Sequence, residues 1–377
     1  MFNLHLHIPP VIGTILFWLL AVSFAIHLFI YIFIYLRFAF YKPKISGHPH
    51  KPVSVIICAR NELENLRKNI YSVLGQSYHD FEVIVVNDCS WDETEFFLKE
   101  LKEQYKNLKV VTITEQKNYR RGKKLAVTLG IKAASHEHLL FTDADCKPAG
   151  KNWLTYMQNN FTEKKQIVLG YGAFEKRKGF LNKIIRTDAY LIALRYMSAA
   201  LSGIPYMGVG RNLAYTKTLF FDNKGFASHN HLLSGDDDLF VNETATASNV
   251  AIEVQKQAFT YTAPKTSFSS WFRQKARHLS TAKHYKISRK LFLSADALSG
   301  FFFLIVLIFW LAAGYNWKIA AAFFGIRFLI QLIVNIKSAM KLDEKDLIAF
   351  IPFIEIILLF VYPFIYLSSL QKNITWK

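Results

Sequence analysis

Two carboxylates one residue apart, Asp143 and Asp145, follow the apolar run His138-Leu-Leu-Phe-Thr142. At the end of a buried strand such a pair presents hard oxygen ligands to one side of a turn. Magnesium suits that arrangement, because it takes few protein carboxylates, keeps waters and completes its shell from substrate phosphates. An isolated Asp-x-Asp is as readily a solvated turn, so the company it keeps decides its meaning. Ser234-Gly-Asp236-Asp237-Asp238-Leu-Phe240 places three carboxylates in a row. Their repulsion is destabilising unless a cation, a helix N-terminus or solvent compensates. One of them suits a helix start. The chemistry open to the others is general-base catalysis, the removal of a proton from a hydroxyl as it attacks.

Other groups extend that chemistry. Asp88 closes Glu82-Val-Ile-Val-Val86-Asn87, where its carboxylate can accept from a base or a ribose. The plainer role is a turn or helix cap, for which Asp92 is better placed. Gly122-Lys123-Lys124-Leu-Ala126 opens a helix, after the basic loop Tyr119-Arg120-Arg121. Amides and lysine charge at a helix N-terminus suit a diphosphate. In Trp271-Phe-Arg273-Gln274-Lys-Ala-Arg277-His278, residues 274, 277 and 278 share one helix face. That segment reads as a basic amphipathic helix at a membrane boundary, and equally as a lid of donors over a leaving diphosphate. Cys58, Cys89 and Cys146 fit no metal spacing and are read as packing residues.

The elements between these groups alternate. Strands are expected over Val53–Ile57, Glu82–Val86, Leu108–Ile113 and His138–Thr142, from short β-branched or apolar runs. Helices are expected over Glu62–Gly75, Asp92–Tyr105 and Gly122–Ala134. Alternation of this kind implies right-handed βαβ units and a mostly parallel sheet. Ligands of such sheets bind at the carboxyl ends of strands, where Asp88, Asp143 and Asp145 fall. A further helix, Phe180 to Leu201, mixes Lys183, Arg186 and Arg195 with apolar residues and is expected on a membrane face or, equally, as an ordinary domain helix.

Composition separates two materials. The chain of 377 residues is 52% apolar, holds 33 Phe, is 20% charged and has a mean hydropathy of +0.16. Disordered, collagen-like and disulfide-scaffold classes are excluded by the apolar content, the ordinary Gly and Pro counts and three cysteines. Apolar runs over Val11–Leu36, Ala295–Gly314, Ile319–Ile336 and Leu347–Leu367 are long enough to span a bilayer. The first reads as an anchor rather than a cleaved signal, since no basic residue precedes it and no small-x-small site follows. Arg327 and Glu355 fall inside two of the runs and are expected to pair or to face a polar pocket.

Basic residues flank these runs: Arg37, Lys42 and Lys44; Arg273 through Lys290; Lys337, Lys341 and Lys345. With four spans all lie on one side, which the positive-inside rule makes cytoplasmic. The N-terminus and the tail ending at Lys377 then lie outside. Much of the net charge of +18 suits an anionic leaflet, and no nucleic-acid-binding motif is present. The expected domains are an N-terminal transmembrane anchor (1–44), a cytosolic catalytic domain (45–265), an amphipathic interface helix (266–292) and three transmembrane helices (293–377).

Taken together, PVSVIICARNE, VNDCSWDET, GKKLAV, FTDAD, GVGRNLAY, GDDDLF and RQKARH resemble, in order, the motifs of membrane-embedded family 2 glycosyltransferases. That group includes polysaccharide synthases and ceramide glucosyltransferases. The resemblance covers about residues 50–290 and implies an α/β GT-A domain flanked by one N-terminal and three C-terminal transmembrane helices. It implies that Ala59, Glu62 and Asp88 hold a uridine and that Lys123 lies by the nucleotide. Asp143 and Asp145 would bind the nucleotide and Mg²⁺ or Mn²⁺, with Asp145 the direct ligand. Asp237 takes the position of the family's base, beside Asp236. Gln274 and Arg277 match Q-x-x-R-W, but His278 replaces the Trp. Asn212, within Gly208–Tyr215, is a candidate contact in the donor-sugar and acceptor pocket.

The implied activity is inverting transfer from a UDP-sugar to a membrane lipid or short glycan at a bacterial inner membrane. A processive polysaccharide synthase coupled to export is the alternative, and a degenerate transferase acting as a membrane scaffold the non-enzymatic one. A polyprenyl-phosphate sugar synthase is disfavoured, since those relatives generally lack Q-x-x-R. A partner subunit or a homo-oligomer is compatible with either enzyme.

Overall fold

The computed structural model describes residues 10–43, 51–114 and 122–370. Lys44, Tyr119-Arg120-Arg121 and Lys377 lie outside the described residues. The chain opens with α1 (Pro10–Ile30), which runs through a π-helical turn, Tyr31–Tyr35, into α2 (Leu36–Ala39). The α/β domain follows: β1 (Val53–Ala59), α3 (Leu63–Leu74), β2 (Phe81–Asp88), α4 (Thr94–Gln104), β3 (Leu108–Ile113), α5 (Lys123–Ala133) and β4 (His138–Asp143). These are the strands and helices that apolar periodicity predicts, within two residues at most ends.

The next stretch holds β5 (Cys146–Pro148), α6 (Trp153–Gln158), β6 (Ile167–Leu169), β7 (Gly172–Phe174) and α7 (Phe180–Leu201). It continues with β8 (Leu213–Thr216), α8 (Lys217–Asp222), α9 (Asp238–Thr244), β9 (Val250–Ile252), β10 (Thr260–Thr262) and α10 (Phe268–Leu279). The main sheet has the order β3-β2-β1-β4-β8-β6-β9. Pairings β1–β2, β2–β3, β1–β4 and β6–β9 are parallel, while β8 runs antiparallel to β4 and β6. The order reverses between β1 and β4, so a crevice opens there at the strands' carboxyl ends. A small sheet, β5-β10-β7, stands beside the main one.

Both faces of the sheet are buried, and residues alternate between them with the period of a strand. Ile56, Ile84 and Val86 face α5 and α7, whereas Val55, Ile57, Val83 and Val85 pack with Leu66, Ile70, Leu98 and Trp153. At Gly130 of α5 a Cβ would come within 2.7 Å of Ile56. Glycine there lets the helix lie close against β1, and so sets the height of its first turn.

The helix α7 has the expected bounds. Its amphipathic pattern fits a membrane-face helix or an ordinary domain helix; α7 is buried on most sides, between the sheet and the membrane-length helices. Its charges are therefore paired rather than solvated. Buried Arg186 meets Glu344 and Asp346. Asp188 meets Lys275 and the hydroxyl of Tyr362, and Arg195 meets Asp296. Burying a charge is tolerable only with such partners.

The final helices are α11 (Ile287–Ala312), α12 (Trp317–Lys341) and α13 (Ile351–Ser369). With the helical stretch Val11–Ala39 they make four segments long and apolar enough to cross a membrane. The segment 266–292 is not one helix. α10 stops at Leu279, a short turn crosses Ala282–His284, and α11 already begins at Ile287. The break turns Thr281 and Tyr285 toward Asp238, to which both hydroxyls donate. Arg327 and Glu355 form no ion pair with each other. Arg327 lies over the ring of Phe303 at 4.7 Å, and Glu355 accepts from Gln331 and, at 3.5 Å, from Tyr31. Each charge thus faces a polar or aromatic partner inside the helix bundle.

Candidate active site

Parallel register brings the strand ends level. Ala59 pairs with Asn87, and Cys58 with both Val86 and Asp143. Asp88 is therefore one residue beyond the end of β1, while Asp143, level with Cys58 and Val86, lies on the other side two residues short of that height. Asn61 and Cys89, just past the ends of β1 and β2, both adopt left-handed backbone conformations, with φ of 53°. The two turns are bonded to each other: Asn61 N donates to Ser90 Oγ, and Trp91 N to Asn61 Oδ1. Asp92 accepts from Leu63 N and Thr94 N, tying the starts of α3 and α4 together. It thus bridges the two helix starts from just before the α4 cap position, which Glu93 occupies. Glu62 precedes α3 and accepts from Asn65, Ala59 is buried, and Asp88 is 3% exposed.

Lys123, in the first turn of α5, joins two acidic elements. Its ammonium lies 2.6 Å from Asp143 and 3.3 Å from Asp236. Burial opposes its charge, but Asp143 and Asp236 outweigh burial and hold its pKa well above the usual lysine range. Burial pushes the Asp143 carboxyl up; the Lys123 cation, helped by Arg211 and Arg277, more than reverses this and keeps it below its ordinary value. The ligand atoms of Asp143, Asp145 and Cys146 lie within 4.8 Å of one another. Burial raises the Cys146 thiol, which stays protonated. The donor set for a cation is thus two carboxylates, which fits a hard ion such as Mg²⁺ or Mn²⁺ and not a thiolate-seeking one.

The acidic triplet divides into separate tasks. Asp238 is buried and accepts from Leu239 N, Thr281 and Tyr285, so it fixes the loop to the segment after α10. Asp237 precedes α9 and accepts from Asp238 N and Gly210 N, each at 2.7 Å. A Cβ at residue 210 would fall 3.2 Å from the Asp237 carboxylate, so glycine admits this close approach. Burial and the neighbouring charges of Asp236 and Asp238 push Asp237 up to about 7; Lys123 and the Gly210 amide only partly offset them. A carboxyl poised near neutrality has the proton affinity of a general base.

α10 starts at Ser267, whose hydroxyl accepts from Ser270 N. Its Trp271, Lys275 and Ala276 are buried, leaving Gln274 and Arg277 partly exposed and His278 exposed. The charge of Arg277 reaches Asp143 electrostatically.

Asn212 is not brought to the crevice surface. It is fully buried, accepts from Trp153 Nε1 and donates to the carbonyls of Tyr171 and Ala258. Its amide is engaged in joining both sheets, which makes it a scaffold residue rather than the pocket contact expected. Its neighbour Arg211 was missed. The Arg211 guanidinium lies 4.4 Å above the Phe174 ring, within electrostatic reach of Asp143. A lone cation inside Gly208-Val-Gly-Arg-Asn212 was the available signal.

Comparison with known proteins agrees with this geometry. Residues 54–220 match the model of glycosyl transferase family 2. Poly-beta-1,6-N-acetyl-D-glucosamine synthase of Staphylococcus aureus is 29% identical over 165 residues, covering 43% of this chain and 39% of that protein. Glycosyltransferase AglE of Haloferax volcanii is 36% identical over 104 residues, covering 27% and 33%. The chain thus spans two fifths or less of the length of these curated relatives. A solved structure, mannosyltransferase PcManGT of Pyrobaculum calidifontis with GDP-Man and Mn²⁺, is similar with a TM-score of 0.55 at 18% identity. It covers 91% of this chain and 99% of its own, so the GT-A architecture is present. The segment that matches glycosyl transferase family 2, residues 54–220, holds the strand-end carboxylates and Lys123.

Proposed function

We propose that the protein is an inverting glycosyltransferase. It moves a sugar from a UDP-sugar to a hydroxyl of a membrane lipid or short glycan, with its catalytic domain on the cytoplasmic face of a bacterial inner membrane. The observation that carries this reading is the placing of Asp237. A carboxyl of pKa about 7 lies beside a Lys123–Asp143 pair and a two-carboxylate cation site.

Asp237 takes the proton of the acceptor hydroxyl as its oxygen attacks the anomeric carbon from the face opposite the diphosphate. The carbon–oxygen bond to the diphosphate breaks in the same displacement, and the anomeric configuration inverts. Arg277, Gln274 and Lys123 supply cationic and hydrogen-bonding groups where negative charge gathers on the leaving group. Asp145, with Asp143, would hold Mg²⁺ or Mn²⁺, which supplies further neutralisation of that charge. Ala59, Glu62 and Asp88 line the base and ribose end of the crevice, and Asp236 and His278 its sugar and acceptor side.

A second reading, a processive polysaccharide synthase, is favoured by the similarity to the poly-N-acetylglucosamine synthase. One experiment separates the two. Purified protein in vesicles receives Mg²⁺ or Mn²⁺ and a panel of radiolabelled UDP-sugars, with GDP-mannose alongside and Asp237→Asn as control. Label in the organic extract supports the glycolipid product. Label in a large, glycosidase-sensitive, water-soluble fraction supports the polymer. Nucleotide binding without any transfer would overturn both.

A further inference from the structure

Behind the acidic loop lies a small cavity of about 10 Å³, bordered by Cys58, Lys123, Thr142, Tyr215, Asp236 and Asp237. That volume is at the lower limit for one water molecule. Tyr215, on β8, is 1% exposed, and its hydroxyl has no hydrogen-bond partner among the described residues. The ring cannot swing away to find one. It is stacked on Phe141 at 4.4 Å and held against Phe240 at 4.5 Å. A buried hydroxyl without a partner is destabilising relative to the phenylalanine that would fill the same space, and folded proteins rarely keep one.

The cavity wall can satisfy that hydroxyl through a water. Each oxygen of Asp237 accepts one bond, from Gly210 N or Asp238 N, and keeps a lone pair. Lys123 has three donors, and its ion pairs with Asp143 and Asp236 leave one of them available. Thr142 donates to the Arg211 carbonyl and can still accept. A water needs two to four such partners. We propose that this cavity binds one water molecule, which joins the Tyr215 hydroxyl to the carboxylates of Asp236 and Asp237. Tyr215 is thereby a positioning residue for the base. This inference rests on the catalytic reading of Asp237. The water itself does not.

The test uses the full chain in detergent or vesicles. Tyr215→Phe removes only the hydroxyl. Val127→Ile adds a methylene at a residue that lines the same cavity and fills it. With the water present, Tyr215→Phe lowers Tm and lowers kcat roughly five- to tenfold, with the donor KM within about twofold. Val127→Ile gives the same fall in kcat, and Tyr215→Phe added to it raises Tm, because the hydroxyl is then an orphan. An equal or higher Tm for Tyr215→Phe alone would mean a dry cavity and would overturn the proposal. A lower Tm with unchanged kcat would keep the water but overturn the positioning role. If Tyr215→Phe does not fold, kcat of Val127→Ile decides: a fall with KM unchanged supports the proposal, and wild-type kcat overturns it. If the wild type turns over no donor, the catalytic reading fails separately, and the Tm signs still decide whether the water is bound.

Discussion

The ammonium of Lys123 and the carboxylate of Asp143 stand 2.6 Å apart, the first on a helix and the second at a strand end. Lys123 also lies 3.3 Å from Asp236, so one cation holds the strand-end carboxylate and the acidic loop in a single unit. Lys123→Met should leave Asp143 and Asp236 repelling each other without a buffer. UDP affinity is expected to fall about tenfold or more, given roughly 1.5–3 kcal/mol for a charged hydrogen bond. Isothermal titration with UDP, with Mg²⁺ present, measures it. Unchanged affinity would remove Lys123 from the nucleotide site.

Asp237 and Asp238 should separate cleanly. Asp237→Asn removes the base, so kcat should fall about 10²- to 10⁴-fold, while one of the amides of Gly210 and Asp238 loses its acceptor and stability falls by only about 1 kcal/mol. Asp238→Asn loses a charge-assisted acceptor for Thr281 and Tyr285. Its cost is expected in stability, about 1–3 kcal/mol, read from denaturant or thermal unfolding. Equal effects of both variants on kcat and Tm would contradict this division.

The pH profile follows from the same residue. Asp237 must be ionised to accept a proton, and it is pushed up to about 7 by burial and by Asp236 and Asp238. The kcat/KM profile should therefore rise with pH through an acid limb near 7. The sign for stability is opposite. A carboxyl whose folded pKa is raised binds its proton more tightly when folded, so its contribution to stability is present below pH of about 4 and is lost as pH rises to about 7. An acid limb below about pH 5, the range of an ordinary carboxylate, would show that another group limits the reaction.

Asp145→Asn should raise the Mn²⁺ concentration needed for half-maximal activity, since one of two carboxylate donors is weakened. Manganese electron paramagnetic resonance reads the same binding without turnover. Wild-type Mn²⁺ affinity in that variant would move the cation site elsewhere.

Much of the first half of the domain is legible in the sequence, because its strands and helices carry their own periodicity. Val53-Ser-Val-Ile-Ile57 and Leu63, Leu66, Ile70 announce a strand and a helix without help from the rest of the chain. The second half is not legible in that way. β5, β6, β7, β9 and β10 are three residues each and exist through pairing with distant strands. The place of α7 was undecided for a related reason: periodicity reports a polar face but not that Glu344, Asp346, Lys275 and Asp296 arrive to neutralise it. At the site, the types and order of the acidic residues marked the crevice. Which of three adjacent aspartates is free to react depends on Tyr285 and Gly210, far away in sequence.

Removing the guanidinium from the α7 clamp gives a stability prediction. Arg186 and Glu344 are 3% and 2% exposed at their side chains, so Arg186→Met strands a buried carboxylate. A loss of about 3–5 kcal/mol is expected for breaking such a pair, measured by thermal unfolding in detergent. A Tm within a degree or two of wild type would mean the clamp contributes little.

The same clamp on the turn between α12 and α13, with Arg195–Asp296 and Lys275–Asp188–Tyr362, fastens the α/β domain to the long apolar helices and their connection at three separate points. A domain on a flexible leash can tilt and bob above a bilayer. One bolted in this way keeps its catalytic carboxylate at a constant altitude. On the lipid-acceptor reading proposed above, such a domain would work as a ruler, in which the distance from acyl chain to reactive hydroxyl decides which headgroups reach Asp237 and which fall short.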